Sequence, residues 1–194
     1  MKNKRILFGI CGSFCNHAEV LRELESLCKD NDVQAVVSEN VFTCSTRYFD
    51  ADVFLNRIKE ATGKEIIHTI VEAEKVGPSD AYDIMVIAPM TATVAAKLAL
   101  GIYDHPVTLS AKAMIRNLRP VVYGIATNDG LGISGPNIFS LMNMKHIYVI
   151  PFRQDAPFQK GRSIVSKWSL LEKTLAHALE GKQLQPILLG GNME

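Results

Sequence analysis

Glycines and hydroxyl side chains recur where an apolar run of this sequence gives way to a helical pattern. Gly9, Gly12 and Ser13 lie at the end of the first run, and Ser38 ends the second. Glycine lets a ligand approach the backbone closely, and the free N–H groups of a helix start favour anions such as phosphate. Taken alone, the first segment is explained equally well by a tight turn in which Ser13 caps a helix.

A third segment of this kind carries Pro89, Thr91 and Thr93, with both hydroxyls in the first turn of a predicted helix. With Ser13 and Ser38, it gives three strand ends that offer hydroxyls and helix-start amides, as a mononucleotide phosphate requires. The chain has neither a Gly-x-Gly-x-x-Gly fingerprint nor a Walker loop at the first segment. This argues against dinucleotides and nucleoside triphosphates as ligands.

Two residues are candidates for catalysis. Asn128 offers a polar amide in a glycine-rich loop, and His68 lies in the apolar segment 66–70. That setting favours a packed histidine, whereas titration near neutral pH keeps a catalytic role open. Apart from these two, a helix N-terminus would lower the pKa of the Cys11 thiol, although a small packed side chain is the alternative.

A ligand that carries carboxylates would need cationic partners, and a guanidinium holds a carboxylate through two hydrogen bonds. Five arginines are available, and the sequence does not choose among them. They are Arg47, Arg116, Arg119, Arg153 and Arg162.

The elements that must position these residues alternate between apolar strands and amphipathic helices, which predicts a single-domain α/β fold with a doubly wound parallel sheet. Ligands of such sheets bind outside the carboxyl ends of the strands. The predicted strands are Arg5–Ile10, Val33–Ser38, Asp83–Ala88, Pro120–Ala126 and Ile147–Ile150. The predicted helices span residues 15–29, 52–62, 91–100, 109–118, 136–144 and 163–179. We expect one domain over residues 1–185 and a tail over residues 186–194.

Composition narrows the class of protein. The 21 Lys and Arg residues nearly cancel the 20 Asp and Glu residues, so the net charge of +1 disfavours binding to nucleic acid. No apolar run approaches the roughly 20 residues of a membrane span, and no export signal is visible, so we expect a cytoplasmic protein. The four cysteines lack zinc-site spacing, and we expect reduced thiols and no metal.

The segment Pro89–Asp104 carries a more specific signal. It reads Pro-Met-Thr-Ala-Thr, followed from residue 97 by Lys-Leu-Ala-Leu-Gly-Ile-Tyr-Asp. This resembles the Pro-Ala-Ser-Ala-Asn-Thr box, with its trailing Lys-Ile-Ala-x-Gly-x-x-Asp, of the flavoproteins related to homo-oligomeric flavin-containing cysteine decarboxylases and prenyl-flavin synthases. The first loop and Ser38 also fit, so the resemblance covers roughly residues 5–150.

The resemblance implies a Rossmann-like, three-layer fold, bound FMN and a homo-oligomer of three or more chains. It implies that Asn128 binds substrate and that His68 stands for the catalytic histidine of the family. The implied flavin-binding residues are Gly9, Gly12, Ser13, Ser38, Pro89, Thr91 and Thr93.

Within this family, the variant box and the Asn-Asp-Gly-Leu-Gly loop from Asn128 resemble one subunit of a two-subunit oxidoreductase. That likeness implies a small dicarboxylate substrate and a nicotinamide-binding partner subunit that carries NADP. Two alternatives stay open, and the missing asparagine of the box is the reason for the first. One is a scaffolding subunit with a relict flavin pocket, and the other is an independent FMN-dependent decarboxylase or prenyltransferase.

Overall fold

The computed structural model describes residues 1–78 and 81–190, and its centre is a parallel sheet. The parallel strands are β1 (Arg5–Ile10), β2 (Asp32–Val37), β3 (Ile84–Met90), β4 (Val121–Thr127) and β5 (Ile147–Val149). Their spatial order is β2-β1-β3-β4-β5. This order reverses direction between β1 and β3, which is the point where doubly wound sheets bind ligands.

Two short antiparallel strands extend this sheet. They are β6 (Phe152–Gln154) and β7 (Ile164–Ser166). β7 pairs with the last residues of β4, Ala126 and Thr127, whereas β5 pairs with the first three residues of β4. The sheet is therefore mixed and seven-stranded, and the expectation of a purely parallel sheet was incomplete.

Eight α-helices cover the sheet within the described residues. They are α1 (His17–Cys28), α2 (Glu39–Thr43), α3 (Ala51–Thr62), α4 (Ile70–Glu74), α5 (Ala92–Ala99), α6 (Pro106–Arg116), α7 (Gly135–Met142) and α8 (Leu171–Leu179). Short 3-10 turns at Phe14–Asn16 and Trp168–Leu170 lead into α1 and α8.

Alternation along β1 divides the core between two faces. Ile6, Phe8 and Ile10 pack with α1, α3 and α8 on one face. Leu7 packs with α5, α6 and α7 on the other. Because successive strand residues point to opposite faces, a strand that is apolar throughout must be covered on both sides. The predicted single-domain, doubly wound α/β fold is confirmed.

Most predicted helices differ from the observed ones only at their ends. Gly63 ends α3 in the left-handed conformation, with a φ of 66°. α6 begins at Pro106, three residues before the predicted start, since His105 caps it. The predicted helix over residues 163–179 was wrong in its first part, because Ile164–Ser166 pairs with the end of β4 as β7.

The described end of the chain is joined to β6. The amide of Phe152 donates to the carbonyl of Ile187, and the amide of Leu189 donates to the carbonyl of Phe152. The domain boundary expected at residue 185 therefore precedes residues that hydrogen-bond to the sheet. Residues 191–194 of the expected tail lie outside the described residues.

Over residues 1–78 and 81–190, no helix combines the length and the apolar character needed to cross a bilayer.

Gly124 in β4 provides a test of the packing around Trp168. A Cβ at this position would meet the Trp168 ring at 2.4 Å and Ile150 at 2.9 Å. Overpacking of this kind costs about 1–3 kcal/mol, so Gly124→Ala should lower the free energy of unfolding by that amount in urea titrations. Trp168, the one tryptophan of the chain, reports the transition by fluorescence.

Gly161→Ala is the matched control, because a Cβ there meets only the carbonyl oxygen of Pro157 at 3.6 Å. Its free energy of unfolding should stay within about 0.5 kcal/mol of the wild-type value. Equal midpoints for the two variants would contradict the packing described here.

Candidate functional site

A large cavity of about 1100 Å³ opens at the carboxyl ends of β1, β3 and β4. We call it the main cavity. Its walls come from the loop after β1, the start of α5, the loop after β4, and the β6–β7 hairpin. Ligand-binding clefts commonly have volumes of about 300–1,000 Å³, so the main cavity has room for more than one small molecule.

The loop after β1 is fixed by bonds to two neighbouring strands. The Cys11 amide donates to the Pro89 carbonyl of β3 at 3.1 Å. The Ser13 hydroxyl donates to the Ala126 carbonyl of β4 at 2.8 Å. The loop therefore holds the ends of β1, β3 and β4 in a fixed relation at the floor of the main cavity.

His17 supports this loop from inside the core. Its side chain is buried, stacks on Phe54 with ring centroids 4.5 Å apart, and places Nε2 2.9 Å from the Cys11 carbonyl oxygen. A carbonyl only accepts, so Nε2 must carry the proton. Burial lowers the pKa of His17, which keeps the ring neutral with this tautomer at neutral pH.

The Cys11 thiol is part of the core. Its side chain has no exposed surface, and burial raises the pKa of the thiol to about 12. The Cys11 thiol is therefore protonated despite the nearby helix N-terminus. Of the two interpretations of Cys11, the small packed side chain is the one that fits the structure. All four cysteines are free in the structure.

The start of α5 brings two threonines to the main cavity. The Thr91 hydroxyl caps the helix by accepting from the Val94 amide at 3.3 Å. Thr93 is exposed and also lines the cavity. The first amides of a helix have no acceptor within it, so those of Ala92 and Thr93 are available to an anion.

The opposite wall is charged and carries one buried aromatic ring. Lys160 pairs with Asp155 at 3.1 Å, and the Trp168 indole donates to the side-chain oxygen of Asn16 at 3.1 Å. The hairpin residue Arg153 and the α1 residue Arg22 also line the main cavity.

A second cavity of about 340 Å³ contains His68. The His68 ring stacks on Phe42 with centroids 3.7 Å apart and lies 3.2 Å from the Glu72 carboxylate. Hydrogen bonds from the His68 and Thr69 amides lower the pKa of Glu72, which keeps it anionic. His68 is thus half-buried and hydrogen-bonded, apart from the lining of the main cavity.

The structure brings five of the nine sequence-predicted site residues to one place. The residues that line the main cavity are Gly12, Ser13, Thr91, Thr93 and Asn128. These residues lie at or just beyond the strand ends, where the backbone no longer makes the hydrogen bonds between strands of the sheet.

Three predicted flavin-binding residues lie elsewhere. Gly9 is inside β1, where a Cβ would come within 3.0 Å of Val107. The Ser38 hydroxyl is buried and caps α2. Pro89 is buried within β3 and contributes its carbonyl to the loop after β1.

Sequence reasoning missed Arg22, Lys160 and Trp168 as residues near the site. Arg22 lies on α1, about two helical turns after the first loop. This position was the signal that could have placed it near the main cavity. Lys160 and Trp168 reach the cavity through the β6–β7 hairpin, which the helix predicted from residue 163 obscured.

Of the five candidate arginines, only Arg153 lines the main cavity in the described chain. Arg47 donates to the Tyr48 hydroxyl at 2.8 Å, and Arg116 donates to the Gly77 carbonyl at 2.8 Å. Arg162 lies on the same hairpin as Arg153 but does not border the cavity.

Comparison with known proteins gives a consistent assignment. A family model described as flavoprotein matches residues 1–155. The B subunit of dipicolinate synthase from Bacillus subtilis (strain 168) is 46% identical over 190 residues, which cover 97% of this chain and 95% of that protein.

Two solved structures show the same fold. The dipicolinate synthase B subunit from Bacillus halodurans C superposes with a TM-score of 0.89 at 42% identity and 97% coverage of each chain. Burkholderia xenovorans DmrB in complex with FMN, described as a cubic protein cage, has a TM-score of 0.68 at 18% identity and covers 92% of this chain and 97% of its own. The chain is thus homologous to the B subunit of dipicolinate synthase, and it belongs to the flavoprotein family.

Proposed function

We propose that this chain is the B subunit of a dipicolinate synthase, which takes part in the oxidation of dihydrodipicolinate to dipicolinate in the cytoplasm of a sporulating cell. The observation that carries the proposal is the 46% identity over 97% of the chain. The main cavity at the carboxyl ends of β1, β3 and β4 supports it, because ligands of doubly wound sheets bind there.

FMN is the cofactor that we propose for the main cavity. The free amides at the start of α5 and the exposed Thr93 hydroxyl fit a phosphate, and Gly12 lets the ligand approach the backbone. Ser13 contributes less as a donor, because its proton is bonded to the Ala126 carbonyl, whereas Thr91 accepts from Val94 and keeps its own proton for a ligand. A bound flavin would supply an acceptor for the two electrons that oxidation releases.

Asn128 is the proposed substrate-binding residue. It is exposed at the rim of the main cavity directly after β4, where its amide can donate to a carboxylate. The protein's part in a ring oxidation is to orient the substrate against the acceptor and to hold its carboxylates. His68 is a separate proposed catalytic residue, which would act from the second cavity.

The proposed partner is a dipicolinate synthase A subunit that binds NADP. The relatives named as B subunits support this pairing, because their name implies another subunit. We also propose a homo-oligomer of three or more chains, since a neighbour with the same fold is described as a cubic cage.

A scaffolding subunit with a relict pocket is the second candidate. The internal bond of Ser13 favours it, because one of the hydroxyls expected to bind phosphate already donates within the chain. Flavin binding separates the two candidates, since a relict pocket predicts none.

Flavin binding can be tested on the purified chain through its visible absorption spectrum with added FMN. We expect a flavin band and saturable binding. Thr93→Val should weaken binding about tenfold or more, because a hydrogen bond to a charged group contributes about 1.5–3 kcal/mol. Thr93→Ser keeps the hydroxyl and should bind FMN like the wild type.

Thr91→Ala is a less specific probe, because it also removes the cap of α5 at a cost of about 1 kcal/mol in stability. A colourless protein that ignores added FMN would exclude the cofactor proposal and favour the scaffold.

The role in catalysis can be tested by assaying dihydrodipicolinate oxidation with the A subunit and NADP, with and without this chain. We expect full activity only when both subunits are present, and co-purification as a heteromer. Full activity of the A subunit alone would remove the catalytic role. A self-sufficient homo-oligomer that decarboxylates a small acid without a partner would favour the independent enzyme instead.

A further inference from the structure

The β6–β7 hairpin places Arg153 on the same wall of the main cavity as the end of β4. Ala126 of β4 pairs directly with Val165 of β7, and Val165 pairs directly with Arg153 of β6. Directly paired residues point to the same face of a sheet. All three residues line the main cavity, so the register accounts for the position of the arginine.

The same register fixes how far Arg153 lies from the loop after β1. Two strand spacings separate the Cα atoms of Ala126 and Arg153, which is about 10 Å. The Ser13 hydroxyl donates to the Ala126 carbonyl, so the loop after β1 lies at the Ala126 end of this distance. This Cα separation leaves room for an anion at Arg153 beside a ligand at the first loop and α5.

The charge of Arg153 is available to a ligand. Among residues 1–78 and 81–190, no carboxylate lies within 4 Å of its guanidinium. Its hairpin neighbour Lys160 differs, because Lys160 is paired with Asp155 at 3.1 Å. Asp155 also accepts from the Ser163 hydroxyl at 3.4 Å, which anchors that pair to β7.

We propose that Arg153 binds one carboxylate of a small planar dicarboxylate in the main cavity and so determines the specificity for two carboxylates over one. The choice of ligand rests on the proposed function, whereas the position of the cation rests on the hairpin register. A guanidinium holds a carboxylate through two parallel hydrogen bonds, which fixes both the distance and the plane of the ligand.

The test is titration calorimetry of the full chain with pyridine-2,6-dicarboxylate and with pyridine-2-carboxylate, with and without FMN. For Arg153→Gln we expect the dissociation constant of the dicarboxylate to rise about tenfold or more. The monocarboxylate should lose less, so the preference for two carboxylates should shrink. Arg153→Lys should be intermediate, since lysine keeps the charge without the fork.

Arg162→Gln is the matched control, because it removes an arginine from the same hairpin that does not line the main cavity. Its dissociation constants should stay within about twofold of the wild-type values. Equal losses for Arg153→Gln and Arg162→Gln would overturn the proposal, because a general charge effect would then explain both.

Two other outcomes would also overturn it. If Arg153→Gln weakened FMN and left the dicarboxylate unchanged, Arg153 would be a phosphate contact. If the wild type bound no dicarboxylate, the carboxylate site would be excluded. The oxidation assay of the wild-type chain with the A subunit tests the proposed function separately. The wild-type chain can be active whether Arg153 or another cation holds the substrate.

Discussion

The arrangement of the site depends on the lateral pairing of β1, β3 and β4. Parallel pairing aligns the carboxyl ends of these strands at one edge, and the Cys11-to-Pro89 and Ser13-to-Ala126 hydrogen bonds continue that alignment beyond the strands. Each bond joins a loop to a backbone carbonyl and not to another side chain. The geometry of the loop therefore depends on the sheet, and the exposed side chains around it can vary without moving it.

Burial beneath the loop makes that geometry stiff. His17 and Cys11 have almost no exposed surface, and His17 bonds to the Cys11 carbonyl from the core side. A buried polar group that lost its partner would cost about 1–3 kcal/mol, which penalises any displacement of the loop. Desolvation also keeps the histidine neutral and the thiol protonated. These two residues thus support the loop at the floor of the main cavity without adding charge to it.

The sequence correctly predicted the features that depend on local residue patterns. Continuous apolar runs and turn residues were sufficient to predict β1 to β5. The positions of the strand ends were sufficient to predict that five residues lie together at one edge of the sheet, namely Gly12, Ser13, Thr91, Thr93 and Asn128. The sequence-based prediction failed where a strand forms only through its pairing with another strand. Residues 164–166 were assigned to the helix predicted from residue 163, whereas their pairing with Ala126 and Thr127 makes them a strand. Ser38 and Thr91 show a related limit, because a hydroxyl that caps a helix has the same sequence signature as one that binds phosphate.

The β6–β7 hairpin lies at the end of the family match and beyond it. The family model ends at residue 155, before β7, whereas the similarity to the B subunit of dipicolinate synthase extends over 97% of the chain. The loop after β1 and the start of α5 lie inside the matched part, and the first amides of α5 can serve a phosphate-bearing ligand. Lys160 and Trp168 lie outside it, and Arg153 lies at its end. If the start of α5 holds the phosphate of a cofactor as proposed, the hairpin wall could select the substrate separately, because the hairpin joins the sheet only at the end of β4.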